Sequence, residues 1–169
     1  ARDIAQIIED NNKSDSVPFV IDDRVDVVWQ ARNKGIKVDG VHIGQTDMEP
    51  REARALLGED AIVGLSAETE SLVKLINELP AGCIDYIGAG PLHDEEQINT
   101  ICAASDFPVV VGGGVHADDM EMLASTDAAG WFVVSAIAGA DDPEAATREM
   151  VTRWKAVRGD RRHGYAQRP

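Results

Sequence analysis

Three carboxylates, a run of glycines and one histidine stand out in this sequence for the chemistry they could do. Asp22 and Asp23 close an apolar run at residues 17–21, and Asp47 follows a second run that ends at Ile43. Two unpaired carboxylates brought within a few ångströms repel each other unless a cation lies between them. Oxygen ligands with an incomplete protein shell suit Mg²⁺, which keeps several waters and completes its octahedron with substrate phosphate oxygens. The competing reading is that Asp22 and Asp23 cap the helix that follows them. Gly112, Gly113 and Gly114 come after another apolar run. Such a triplet lets the backbone approach a ligand closely, and its amides, leading into a helix, make an anion site; the plainer reading is a tight turn. His42, one residue before its run ends, reads as a hydrogen-bonded structural imidazole rather than a base. No Ser/His/Asp order, P-loop or dinucleotide glycine pattern appears, so nucleophilic hydrolysis and nicotinamide chemistry are unsupported.

The elements that must position these residues repeat regularly. Apolar, β-branched runs fall at residues 17–21, 38–43, 61–64, 84–88, 108–112 and 130–134, with centres 21 to 24 residues apart. Between them lie helical patterns, such as residues 68–79, where Leu72, Leu75, Ile76 and Leu79 follow the 3.6 spacing of one buried face. Asp142 before Pro143 and Glu49 before Pro50 mark two helix starts. The strand runs are apolar without alternation, as in a parallel sheet covered on both faces. Repeated strand and helix units of this kind build either an open doubly wound sheet or a closed (β/α)8 barrel. Short strands, even spacing and polar residues just after the strand ends favour the barrel. Six strands are countable where a barrel needs eight, and residues 3–12 read as a helix leading into the first of them. The expectation is therefore a TIM barrel whose first strand, first helix and second strand lie outside this sequence. If the six runs are strands three to eight, Gly112 follows the seventh and Ser135 the eighth, where barrels often bind phosphate.

Composition limits the function classes. The 169 residues are 44% hydrophobic and 27% charged, ordinary for a globular domain, with a net charge of −14. Residues 1–150 hold ten basic residues against twenty-nine acidic, a net −19. Such a body repels a polyphosphate backbone, which argues against nucleic acid as a partner. No apolar run approaches the roughly 20 residues of a membrane span. Cys83 and Cys102 show no ligand or disulfide spacing and read as reduced thiols of a cytoplasmic protein. The expected organisation is one barrel domain over residues 1–157 and a basic tail or linker over 158–169.

The strand-end segments, taken in order, resemble a known family. They are Pro18-Phe19-Val20-Ile21-Asp22-Asp23-Arg24, Gly40-Val41-His42-Ile43-Gly44-Gln45-Thr46-Asp47, Val63-Gly64-Leu65-Ser66, Asp85-Tyr86-Ile87-Gly88-Ala89-Gly90-Pro91, Val109-Val110-Val111-Gly112-Gly113-Gly114 and Val133-Val134-Ser135-Ala136. Together they are similar to thiamine phosphate synthase, over about residues 17–154. The resemblance implies a (β/α)8 barrel that joins hydroxymethylpyrimidine diphosphate to thiazole phosphate with Mg²⁺, giving thiamine phosphate and pyrophosphate. It implies Asp23 and Asp47 as metal ligands. It places Asp22, where the family usually has asparagine, at the pyrophosphate or pyrimidine end, and Ser66 by the pyrophosphate or reacting centre, and makes both candidate catalytic residues. It assigns Gly112, Gly113, Gly114, Val134 and Ser135 to the thiazole phosphate. The alternatives are a tautomerase-like paralogue of the same family, or a non-catalytic domain binding thiamine or thiazole phosphates in a fusion protein. A homo-oligomer or a fused kinase domain is compatible with either. The family's Gln-x-Arg-x-Lys stretch and its Thr- and Lys-bearing loop after Gly-Pro have no counterpart here. The reading expects them to be missing from the sequence, with His93 and Asp94 not natural neighbours.

Overall fold

Strand runs without polar interruption pair in parallel, and the helices between them supply the cover. A computed structural model describes residues 1–91 and 94–159. It gives an α/β fold with six strands whose order in the sheet follows the chain, β1 to β6. The chain divides into two compact units.

The first unit comprises Ala1–Ala67 and Glu78–Ile87. It holds α1 (Arg2–Asp10), β1 (Val20–Asp22), α2 (Val25–Asn33), β2 (Gly40–Ile43), α3 (Pro50–Leu57), β3 (Ile62–Ser66) and the start of β4 (Tyr86–Ala89). β1 runs parallel to β2, with Asp22 opposite His42, and β2 parallel to β3, with Ile43 opposite Leu65. Val41, Ile43 and Val63 are fully buried, as are Val28 of α2 and Ala53 of α3. Glu49 caps α3 as expected: its Oε2 accepts from the N–H groups of Arg51 (3.0 Å) and Glu52 (3.3 Å), with Pro50 in the first turn. At the N-terminal ends of β3 and β4 a single guanidinium gathers loose backbone. Arg54 donates to the carbonyls of Gly58 (3.0 Å), Glu59 (3.4 Å), Ala61 (2.5 Å) and Cys83 (3.4 Å), and to Asp85 Oδ2 (2.8 Å). Asp85 Oδ2 also accepts the Val63 N–H at 2.7 Å.

The second unit comprises Glu68–Asn77 and the chain from Gly88 onward. It holds α4 (Glu70–Ile76), the end of β4, α5 (Glu95–Ala104), β5 (Val109–Val111), a 3₁₀ turn (Ala117–Asp119), α6 (Met120–Ser125), β6 (Gly130–Trp131), α7 (Ser135–Ala138) and α8 (Pro143–Arg158). β5 and β6 pair in parallel, with Val111 opposite Trp131. Val111, Ile98, Met120, Leu123 and Met150 form the core. Asp142 caps α8 through an Oδ1 that accepts the Ala145 N–H at 3.0 Å.

Several expected boundaries move. The run at 17–21 yields a strand only from Val20: Pro18 has no N–H to donate, and the Phe19 N–H is taken by Asp39 Oδ2 at 2.5 Å. The helix expected over 68–79 is shorter, and its face is shifted. Val73 and Ile76 are buried, whereas Leu75 is 61% exposed. The run at 130–134 keeps strand form only for Gly130 and Trp131, because Val134 already has the helical backbone that starts α7. α8 continues through Arg158, one residue beyond the expected domain limit; residues 160–169 of the expected tail lie outside the described residues. So do Leu92 and His93, where the interruption before Asp94 was expected. Among the described residues no helix is long and apolar enough to cross a membrane.

Candidate functional site

The carboxylates of the first unit stand at the C-terminal ends of β1 and β2. After Asp22 the chain turns sharply: the Asp23 N–H donates to the His42 carbonyl (2.7 Å) and the Arg24 N–H to the Asp22 carbonyl (2.7 Å). Asp23 holds a φ of 65°, a left-handed conformation that costs an L-residue roughly 1 kcal/mol and that Asp tolerates better than most. The N-cap of α2 is Arg24, with no side-chain capping bond, so the helix-cap reading of Asp22 and Asp23 does not hold. Both are exposed, and among the described residues neither carboxylate has a hydrogen bond or ion pair. Arg24 is committed elsewhere, gripping Asp26 with two bonds of 2.7 and 2.6 Å and holding that carboxyl down at about 2. Asp47 is exposed and folds back on its own loop, Oδ2 accepting the Gly44 N–H at 2.7 Å, and among the described residues Oδ1 has no hydrogen bond.

His42 lies at the centre of this strand-end group. Its Nδ1 meets the Tyr86 hydroxyl at 3.0 Å and its Nε2 meets Ser66 Oγ at 3.0 Å. The two rings stack with centroids 5.4 Å apart at 30°. Burial pushes the imidazole below its ordinary pKa, while the charges of Asp22, Asp23 and Asp47 pull the other way. All three expected carboxylates therefore act on one side chain. Gln45 Nε2 donates to the Ser66 carbonyl at 2.5 Å. Gly64, between Val63 and Leu65, makes room for the ring pair: a Cβ there would lie 2.3 Å from Tyr86 Cζ and 2.5 Å from His42 Nδ1.

Tyr86, Gln45 and Gly64 were not singled out from the sequence. The available signal was Gly64 itself, since a glycine inside an apolar strand marks a close approach. Carboxylate oxygens are donors of the kind Mg²⁺ takes, but among the described residues no group of three or more His, Cys, Asp or Glu is placed to hold a metal ion, so Asp22, Asp23 and Asp47 do not form a closed site by themselves. A cavity of about 540 Å³ lies at the opposite strand ends, lined by Arg51, Arg54, Cys83 and Asp85. Arg54 is fully engaged there in holding backbone.

In the second unit the glycine triplet follows β5. Gly113 and Gly114 have φ of 89° and 79°, a turn only glycine takes readily. The expectation of three available amides needs correction: the Gly112 N–H donates to the Ala89 carbonyl at 3.0 Å. Gly113 and Gly114 keep N–H groups with no acceptor among the described residues. Gly112 instead serves as a floor for Phe132, whose ring atoms would lie 2.1 to 2.4 Å from a Cβ at that position. Val134 is 75% exposed and Ser135 opens α7.

The family model for thiamine monophosphate synthase matches residues 1–137. The chain belongs to that family. Among curated relatives, the thiamine-phosphate synthase of Corynebacterium efficiens is 41% identical over 145 residues, covering 79% of this chain and 67% of that protein. That of Corynebacterium jeikeium is 40% identical over 166 residues, covering 91% of this chain and 74% of the other. A solved thiamine phosphate pyrophosphorylase from Pyrococcus furiosus superimposes with a TM-score of 0.76 at 28% identity, over 94% of this chain and 75% of its own. The likeness to thiamine monophosphate synthases thus extends over both units and includes every strand-end segment that carries a candidate residue.

Proposed function

We propose that this chain is a transferase of thiamine biosynthesis. It joins hydroxymethylpyrimidine diphosphate to thiazole phosphate, releasing pyrophosphate and forming thiamine phosphate. Family membership carries the reading, and the chemistry of the strand ends supports it. The pyrimidine methylene loses its diphosphate and gains the thiazole nitrogen. The electron-rich aminopyrimidine stabilises the cation that diphosphate departure leaves, so no protein nucleophile is required. The chain's task is to hold the two substrates in line and ease the leaving group away. Asp23 and Asp47 would hold Mg²⁺, which when bound offsets the charge growing on the departing diphosphate. Ser66 offers its hydroxyl to that same group. Asp22 brings an acceptor-only carboxylate to the pyrimidine or diphosphate end, where it must meet a cation or a hydrogen-bond donor. The amides of Gly113 and Gly114 and the Val134-Ser135 turn bind the thiazole phosphate.

The architecture proposed with this function is the (β/α)8 barrel, with β1 to β6 in the places of its third to eighth strands. The substrates are small molecules, and no observation favours the tautomerase or the non-catalytic reading. The test is incubation of the full-length protein with both substrates and Mg²⁺, followed by detection of thiamine phosphate and pyrophosphate in equal amounts. Neither product, or isomerisation of a thiazole phosphate alone, would overturn the proposal.

A further inference from the structure

We infer that His42 is a positioning residue for this reaction: it fixes the Ser66 hydroxyl in one orientation toward the leaving diphosphate, and Tyr86 fixes His42. The inference rests on the proposed place of Ser66 in the synthase reaction.

A serine hydroxyl at a strand end is a rotor with three staggered wells, and its single proton can point along any of several directions. Here both oxygens of Ser66 are held. Its Oγ is 3.0 Å from His42 Nε2, and its carbonyl accepts from Gln45 Nε2 at 2.5 Å. His42 is held in turn, because its other ring nitrogen is 3.0 Å from the Tyr86 hydroxyl and the two rings stack. A neutral imidazole donates from one nitrogen and accepts at the other, so bonds at both ends make the chain from Tyr86 to Ser66 directional. The space for this chain is built in at Gly64, where any side chain would strike both rings. Residues from three strands and the loop after β2 thus converge on the orientation of one hydroxyl. Preorganised hydroxyls of this sort act on rate rather than on affinity, because their benefit appears where charge develops.

The test is a double-mutant cycle read by steady-state kinetics, with thermal unfolding alongside. His42→Phe keeps a ring against Tyr86 and removes both nitrogens. It should lower kcat roughly 10- to 100-fold, with the KM for thiazole phosphate unchanged. Ser66→Ala should cost a similar factor, and the double variant should be no slower than Ser66→Ala alone, because His42 acts through Ser66. His42→Gln, which restores a donor and an acceptor, should recover part of the loss. Should His42→Phe not fold, Tyr86→Phe gives the same cycle with a smaller single loss. Losses that multiply in the double variant, or a His42 variant that melts lower but turns over normally, overturn the inference and leave the role of Ser66 standing. A Ser66→Ala enzyme with full kcat overturns the role of Ser66, and the inference with it.

Discussion

The two ends of the proposed chemistry are built from different materials. The carboxylate end, in the first unit, works with side chains: Asp22, Asp23 and Asp47 stand exposed around a half-buried His42, which is tied to Ser66 and Tyr86. The glycine end, in the second unit, works with backbone: Gly113 and Gly114 present amides because they have no side chains, and Gly112 is bare because Phe132 occupies the space. At the first end, replacing an exposed carboxylate removes a functional group and leaves the packing alone. At the second a substitution adds atoms where there is no room, so binding and stability fall together. Leaving-group chemistry needs groups whose charge can be chosen, whereas holding a phosphate needs only donors at fixed positions.

Substitutions sharpen this contrast. The largest expected effect is at the carboxylate end: Asp47→Ala should lower kcat by about 10³-fold or more while leaving the melting temperature within a degree or two. An unaffected rate would remove Asp47 from the metal assignment. At the glycine end, Gly112→Ala should cost about 1 to 3 kcal/mol of stability in denaturant unfolding, because the new Cβ meets the Phe132 ring at 2.1 Å. It should also raise the KM for thiazole phosphate. A stable Gly112→Ala enzyme with normal KM would erase the distinction between the two ends. Asp22→Asn should be milder, lowering the KM for the pyrimidine diphosphate by about fivefold, since one repulsive charge is worth about 1 kcal/mol near a solvated surface. No change would place Asp22 away from the diphosphate. The smallest effect concerns His42, whose folded pKa lies below its ordinary value. The unfolded chain then takes up the proton more readily. Stability is full above about pH 6.5 and declines as pH falls below that value. Melts at pH 7.5 and 5.5 should differ less in His42→Gln than in the parent protein.

Much of the scaffold could be read from local pattern, because periodicity and capping are local properties. The six strands, the caps at Glu49 and Asp142 and the exposed aspartates after β1 all follow from neighbouring residues. Strand length was less legible: whether Phe19 joins β1 depends on Asp39, twenty residues away, and whether Val133 extends β6 depends on where α7 begins. Leu75 shows the limit of helical spacing. It fits the apolar face by count, yet burial falls on Val73 and Ile76, because the side packed against the core is chosen by tertiary contacts and not by spacing alone. The site divides in the same way. Asp22, Asp23 and Asp47 could be picked out from their place after apolar runs. The links from His42 to Ser66 and Tyr86 span 24 and 44 residues, and only tertiary structure brings them together. The Gly112 amide looked available until its acceptor, Ala89, came from another strand.

Arg54 collects four carbonyls and one carboxylate at the strand ends remote from Asp22 and Asp47. The anchoring contacts of Arg54 and the proposed reactive groups therefore lie at opposite poles of the first unit. A lineage carrying this arrangement can change the exposed carboxylates of that pole, one at a time, without loosening the backbone that Arg54 holds.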